Sequence, residues 1–248
     1  MQFFVKRGIF YFMAEEIEFD VEEMAKAGLH LGHKTSKLHP KMLPYIFGVR
    51  NNVHIIDLEK TKEKLKEAII FIQNLVKEKK IILVVGTKIQ LKELVKEFAS
   101  QFNFPYINHR WLGGIFTNFG VIKKRVEYLK ELEEKRELEK YTKKEKLLLE
   151  RKLSKLREKF EGIKNLEKIP DAVFILDMEK DKLAVKEAKK MGIKIIAISH
   201  TNCDPTSVDY PIPANDDAIP SVQYILKKVK EAILKVKKDD SDRENKKT

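Results

Sequence analysis

Histidine, lysine and hydroxyl side chains crowd the segment Gly28-Leu29-His30-Leu31-Gly32-His33-Lys34-Thr35-Ser36-Lys37-Leu38-His39-Pro40-Lys41-Met42. Three histidines within ten residues raise the question of a metal. Their spacing is neither H-E-x-x-H nor that of a zinc finger, and Lys34, Lys37 and Lys41 would oppose a cation nearby. The same residues suit a phosphate-facing loop, in which lysines neutralise charge while Ser, Thr and His donate hydrogen bonds. A solvated surface loop is the plain alternative.

A second group is Asn108-His109-Arg110-Trp111-Leu112-Gly113-Gly114-Ile115-Phe116-Thr117-Asn118-Phe119, which holds the only tryptophan and runs into a long charged helical pattern. Arg110 offers a planar fork for phosphate or base edges, and the glycine pair lets another backbone approach closely. Trp111 could equally anchor the following helix on the body. A third group, Gly86-Thr87-Lys88, follows a strand pattern and precedes a helix, where backbone N–H groups can meet a phosphate. Neither G-x-x-x-x-G-K-[ST] nor G-x-G-x-x-G occurs, so a nucleotide cradle is not indicated.

Hydrolytic chemistry finds little support. Ser199-His200 and Asp204 have the residue types of a triad, but no G-x-S-x-G elbow surrounds the serine, and neighbours on a strand point to opposite faces. Asn215-Asp216-Asp217 suits the cap of a following helix. His33, His200, Asp216 and Asp217 are competent zinc ligands if the fold gathers them at the carboxyl edge of a sheet, which the sequence does not reveal. No catalytic, cofactor or metal site is assigned from the sequence.

The elements that must position these groups follow from periodicity. Ile55-Ile56, Ile81 to Val85, Tyr106-Ile107, Ala172 to Leu176 and Lys194 to Ile198 read as short strands, rich in β-branched residues. Between them lie amphipathic helices. One runs from about Thr61 to Lys79, another carries Leu91, Leu94, Val95 and Phe98, and a last one carries Val222, Ile225, Leu226, Val229 and Ile233. This alternation predicts an α/β body around a mainly parallel, doubly wound sheet. From Thr117 to Gly162 no strand pattern appears. Leu149, Leu153, Leu156, Phe160 and Ile163 form a coiled-coil seam facing the stripe Ile122, Val126, Leu129 and Leu132, and Thr142 with Glu145 makes a capping box. The expectation is an antiparallel helical hairpin turning near Lys140-Tyr141, with arms of about 30 Å, projecting from the body. Its charge is equally that of a solvated helix pair. The expected organisation is an N-terminal extension over 1–18 without regular structure, a body from 19–116 and 163–236, the hairpin at 117–162, and a structureless polar tail over 237–248.

Lys plus Arg is 50 and Asp plus Glu 38, giving a net charge of +12. Nucleic acid is the leading partner class, although an acidic protein or an anionic membrane would also fit the charge. No run is long and apolar enough to span a bilayer, and no basic amphipathic anchor is found. Cys203 is the only cysteine, which excludes an internal disulfide and favours a reducing compartment. Met1 to Phe12 lacks the features of a secretory signal, and Met13 reads as a plausible start.

Taken in order, several segments resemble the small-subunit ribosomal protein two family in its bacterial and organellar form. They are Ala27 to His33, Pro40-Lys41-Met42, Pro44 to Gly48, Arg50-Asn51, His54 to Thr61, Val85 to Lys88, Asn108 to Asn118, Gly162-Ile163-Lys164, Pro170 to Phe174, Thr201 to Pro205 and Asp209 to Pro213. The likeness covers about Phe19 to Val236. It implies a flavodoxin-like body with a coiled-coil hairpin and no enzymatic activity. It also implies a place on the cytoplasmic ribosome near the head-to-body junction of the small subunit. The implied partners are small-subunit ribosomal RNA and neighbouring small-subunit proteins, with docking of the mRNA-binding protein S-one, and no membrane or self-association is required. The RNA-facing residues it suggests are His30, His33, Lys34, Lys37, Lys41, Arg50, Lys88, His109, Arg110, Trp111, Asn118, Lys123 and Lys124. Two departures stand out: His200 where the family commonly has Asp, and Pro220 where it commonly has Arg, so roles tied to those charges are open. Two rivals from other classes remain, a nucleotide-binding enzyme on the same fold and a protein-only adaptor using the hairpin as a docking rod.

Overall fold

The computed structural model describes residues 18–137 and 142–245. Five parallel strands form the main sheet: β4 (Ile82–Val85), β5 (Tyr106–Ile107), β6 (Ala172–Ile175), β7 (Lys194–Ser199) and β8 (Tyr210–Pro213). Their spatial order is β5-β4-β6-β7-β8. Counting from β4, this is the 2-1-3-4-5 order of flavodoxin-like doubly wound sheets, with its switch point between β4 and β6. A smaller antiparallel sheet in the order β1-β3-β2 precedes it, from β1 (Leu31–Lys34), β2 (Ile46–Arg50) and β3 (Val53–Ile56).

Alternation along each parallel strand divides the core into two. Ile82, Val84, Ala172, Phe174, Ile196, Ile198 and Ile212 face one cluster, shared with α1 (Val21–Lys26), α2 (Leu58–Lys77), α3 (Lys92–Phe102) and α7 (Ile219–Asn245). Leu83, Val85, Val173, Ile175, Ile195 and Ala197 face the other, shared with α4 (Phe119–Glu137), α5 (Lys143–Phe160) and α6 (Lys182–Lys190). A side-chain period of two thus forces helices onto both faces, because each strand is apolar on both sides. On α2 the stripe Leu65, Ala68, Ile69 and Ile72 is buried, and Asp57 starts the helix by accepting the Glu59 N–H at 3.1 Å.

α4 and α5 touch through a shared carboxylate: Glu133 accepts from Arg157 at 2.8 Å and also from Lys164. Leu132 and Leu153 are buried, and Lys152 lies over the Tyr128 ring at 5.1 Å. The Thr142 and Glu145 box closes as the sequence predicts, with the Thr142 N–H donating to Glu145 at 2.9 Å. The predicted turn at Lys140-Tyr141 and all but Glu18 of the 1–18 extension lie outside the described residues. Gly162 closes the segment against β5, where a Cβ would stand 2.1 Å from the Tyr106 carbonyl oxygen.

Two expectations change. The segment from Gly28 to Met42, read as a loop, contains β1 and two short helical turns, at Thr35–Lys37 and Pro40–Tyr45. β1 forms because β3 offers it an antiparallel partner, a contact local propensity does not signal. The polar stretch from 237, read as structureless, continues α7 as far as Asn245. No Gly or Pro interrupts the chain from Ser221 to Asn245, so the helix propagates past the end of its apolar stripe.

Candidate functional site

The carboxyl edge of the parallel sheet, where doubly wound folds take their ligands, is the natural place to look. Lys88, just past β4, extends its ammonium among three carboxylates: Asp177 at 3.0 Å, Asp216 at 2.9 Å and Asp217 at 2.8 Å. Asp177 follows β6 and the other two follow β8, so one lysine bridges the switch-point crevice and the far edge. Burial works against the Lys88 charge, but Asp216, Asp217 and Asp177 outweigh it and hold its pKa above the ordinary lysine value. The carboxylates respond differently because they are buried differently. The Asp216 side chain is 4 % exposed, and burial, helped by Asp177, pushes its pKa up to about 7 despite Lys88. Burial also acts on Asp217, but its side chain is 57 % exposed, and the Lys88 bond prevails and lowers its pKa.

Beside this cluster His33, on β1, stacks on His200, just past β7, with ring centres 3.8 Å apart and planes 29° apart. His33 Nδ1 and His200 Nε2 lie 3.6 and 3.8 Å from the same Asp217 oxygen. His200 is buried, and its pKa falls to about 3, chiefly through burial and then through His33. Burial also lowers the His33 pKa. Thr87 donates to Asp181 through its hydroxyl at 2.8 Å and its N–H at 3.3 Å, and burial raises the Asp181 carboxyl to about 6.

This arrangement does not suit a bound nucleotide. The lysine that could have met a phosphate is already engaged, and the carboxylates around it would repel one. Nor does it form a hydrolytic triad: Ser199 donates to the Met178 sulfur at 2.9 Å while His200 faces His33, and Asp204 pairs with Lys41 at 2.7 Å. Asn215 shapes the turn just before α7, accepting from the Asp217 and Ala218 N–H groups at 2.9 and 3.3 Å.

The remaining sequence-predicted residues separate into held and free groups. Lys41 is held by Asp204 and Thr206, and His109 lies 3.0 Å from Lys92 and 3.2 Å from Glu158. Trp111 is 5 % exposed, edge-on to Phe116, with its indole N–H on Glu187 at 3.4 Å. It therefore packs the core and does not present a surface stacking platform. The Lys88 ammonium is committed to carboxylates. His30 is half-buried, with an unpartnered Nδ1. Lys34, Lys37, Arg50, Arg110, Asn118, Lys123 and Lys124 are all exposed. Among the described residues the six cations in that set have no carboxylate partner within 4.0 Å.

The organiser of the Arg110 region went unread in the sequence. Glu187, buried on α6, accepts from the N–H groups of Gly114 at 2.7 Å, Phe116 at 3.1 Å and Thr117 at 3.4 Å, besides the Trp111 indole. Gly114 permits this wrap with φ +98°. A glutamate in the run Lys186-Glu187-Ala188-Lys189 looks like a solvated helix face, and only its spacing with Ala184 and Ala188 hints at burial. Also unread was the apolar surface around Arg50: Phe47 is 81 % exposed, with Val49, Leu43 and Leu31 also exposed nearby in the chain's small-sheet region.

Comparison with known proteins agrees with this non-enzymatic geometry. The family model described as ribosomal protein S2 matches residues 24–236. Small ribosomal subunit protein uS2 of Helicobacter hepaticus is 45 % identical over 228 residues, covering 91 % of this chain and 86 % of that protein. The uS2 proteins of Nitratiruptor sp. and Dictyoglomus thermophilum are 46 % and 47 % identical over 220 residues, each covering 88 % of this chain, and 82 % and 89 % of their own lengths. With a ligand crevice filled by its own lysine and a family match across most of its length, the chain belongs to the ribosomal protein S2 family.

Proposed function

We propose that this chain works as an architectural element of the cytoplasmic small ribosomal subunit, held on ribosomal RNA by surface cations. The observation that carries this reading is a contrast. Lys88 is consumed inside the fold, whereas Lys34, Lys37, Arg50, Arg110, Lys123 and Lys124 stand exposed without carboxylate partners among the described residues. Free cations release counterions from a phosphate backbone; paired ones gain little by exchanging one anion for another. Shape and phosphate contacts then dominate over base reading, as is common for folded RNA.

Residues 19–116 and 163–236 serve as the body in this proposal, and 117–162 as a projecting helical hairpin that lengthens the RNA contact. Protein S-one is the proposed docking partner. The exposed Phe47, Leu43 and Val49 support a protein contact, since such apolar groups are costly to leave wet. The test of RNA binding is filter binding of full-length protein to small-subunit ribosomal RNA across a salt series. Neutralising Lys34, Lys37 and Arg110 to Gln should weaken binding and reduce the salt slope by about 0.7–0.9 per lost phosphate contact. An unchanged slope overturns the assignment of these residues. Binding that is insensitive to both salt and RNase would instead favour the protein-only adaptor.

A further inference from the structure

We propose that His33, His200 and Asp217 form a binding site for one divalent transition-metal ion of the zinc class, stapling the small antiparallel sheet to the carboxyl edge of the parallel one. One ligand atom from each of these residues lies within 4.8 Å of the others. The two imidazole nitrogens stand 3.6 and 3.8 Å from Asp217 Oδ2. Ligands about 2.1 Å from a tetrahedral ion are separated by about 3.4 Å, so each nitrogen needs to close by only a few tenths of an ångström. The three residues come from β1, the end of β7 and the turn before α7. One ion would therefore join segments far apart in sequence, which suits a scaffold protein.

Three further features favour the site. Asp217 already gives its Oδ1 to Lys88 at 2.8 Å, which orients the carboxylate and leaves Oδ2 facing the histidines. Thr201 Oγ1 lies 3.3 Å from His200 Nδ1. The Thr201 N–H donates to His200 Nδ1 at 2.7 Å, so the metal-free ring carries its proton on Nε2. Taking up an ion at Nε2 moves that proton to Nδ1, which then donates to Thr201 Oγ1, the outer-shell pattern usual for metal-bound histidine. The charge balance is the third. Asp177, Asp216 and Asp217 surround a single ammonium, a cluster short of positive charge. A divalent ion supplies that charge. The stacked rings must open for both lone pairs to meet one ion. His33, with its side chain 22 % exposed, is the one with room to turn. Two imidazoles and one carboxylate select zinc-class ions over magnesium, which prefers an all-oxygen shell.

The experiment uses full-length protein stripped with chelator and then titrated with Co2+ as an optical probe and with Zn2+ by calorimetry. The expected result is one ion per chain, with Co2+ d–d absorption but no thiolate charge-transfer band, because Cys203 is not among the ligands. His33→Ala should weaken binding about tenfold or more, as should Asp217→Asn, while His39→Ala, a histidine outside the group, should leave it unchanged. His33 is partly exposed, so circular dichroism of His33→Ala verifies that the fold is retained. Absence of saturable binding would overturn the proposal. So would equal affinity in wild type and a folded His33→Ala, or binding for which Mg2+ competes as well as Zn2+.

Discussion

Replacing Glu187 by Ala tests whether the Arg110 segment is held by one buried carboxylate. The two shortest bonds, from the Gly114 and Phe116 N–H groups at 2.7 and 3.1 Å, are charge-assisted and about 1.5–3 kcal/mol each, so their loss sums to about 3–6 kcal/mol. The bonds at 3.4 Å from Thr117 and Trp111 are weaker and are not counted. Such a loss is a large fraction of the about 5–15 kcal/mol typical of domains. Urea denaturation measures it, and the single tryptophan reports the local consequence, because Trp111 rests on the same carboxylate. Glu187→Ala should lower the unfolding free energy by that amount and shift Trp111 emission to the red as water enters. Glu187→Gln should fall between, since its amide keeps one acceptor but turns its NH2 toward backbone donors. A stability change under about 1 kcal/mol with unshifted emission would refute the view that these hydrogen bonds organise the segment.

Other consequences are open to direct measurement. The Asp216 pKa is raised from 3.8 to about 7 by burial and Asp177 against the pull of Lys88, so its contribution to stability is complete below about 4 and is lost as pH rises through about 7. Asp216→Asn should therefore flatten the decline in urea midpoint between those values, and parallel pH profiles for variant and wild type would contradict it. Lys79 ends α2 in a left-handed conformation, φ +53°, with the Lys80 N–H bonded to the Leu75 carbonyl at 2.9 Å. Lys79→Gly should raise thermal stability by about 0.5–1 kcal/mol, the balance of relieved strain over lost unfolded-state restraint; a destabilised variant would count against that backbone. Cys203 is buried, and burial pushes its thiol up to about 12, so iodoacetamide should label it only after denaturation; rapid labelling of native protein, read by mass spectrometry, would disagree.

What the sequence disclosed follows a physical divide. Central strands were legible because burial on both faces demands continuous apolar runs: Ala172 to Leu176 and Lys194 to Ile198 fall within a residue of β6 and β7. β8 was not, since Pro211 and Pro213 argue against a strand. Its position at the sheet edge admits them because one side needs no ladder partner. β1 and β2 were missed for another reason: they are paired to β3 and carry Gly, His and Lys, so tertiary pairing decides their conformation. At the candidate site the same divide holds. The residue types at 28–42, 86–88 and 215–217 stood out in the sequence, but not the fact that Asp177 would join Asp216 and Asp217 around Lys88, nor that α6 would send Glu187 beneath Trp111. Each of those contacts spans tens of residues, and nothing local encodes it.

The Lys88 cluster also explains how a fold that commonly hosts catalysis comes to serve a scaffold. In doubly wound sheets the strand ends at the switch point diverge and leave a crevice, which enzymes fill with substrate or cofactor. Here β4 contributes Lys88 and β6 contributes Asp177, joined across that crevice at 3.0 Å. The fold's ready-made ligand position thus becomes an internal cross-link, further tied to the turn before α7 through Asp216 and Asp217. Lys88 is then no longer available to a phosphate, and the RNA binding proposed above falls to the exposed cations. A buried pair of this kind adds little stability by itself, because desolvation offsets attraction, but removing one partner strands the others. Its value lies in specifying geometry: it fixes where the ends of β4 and β6 meet the turn before α7, and it sets Asp217, which His33 and His200 approach from β1 and the end of β7.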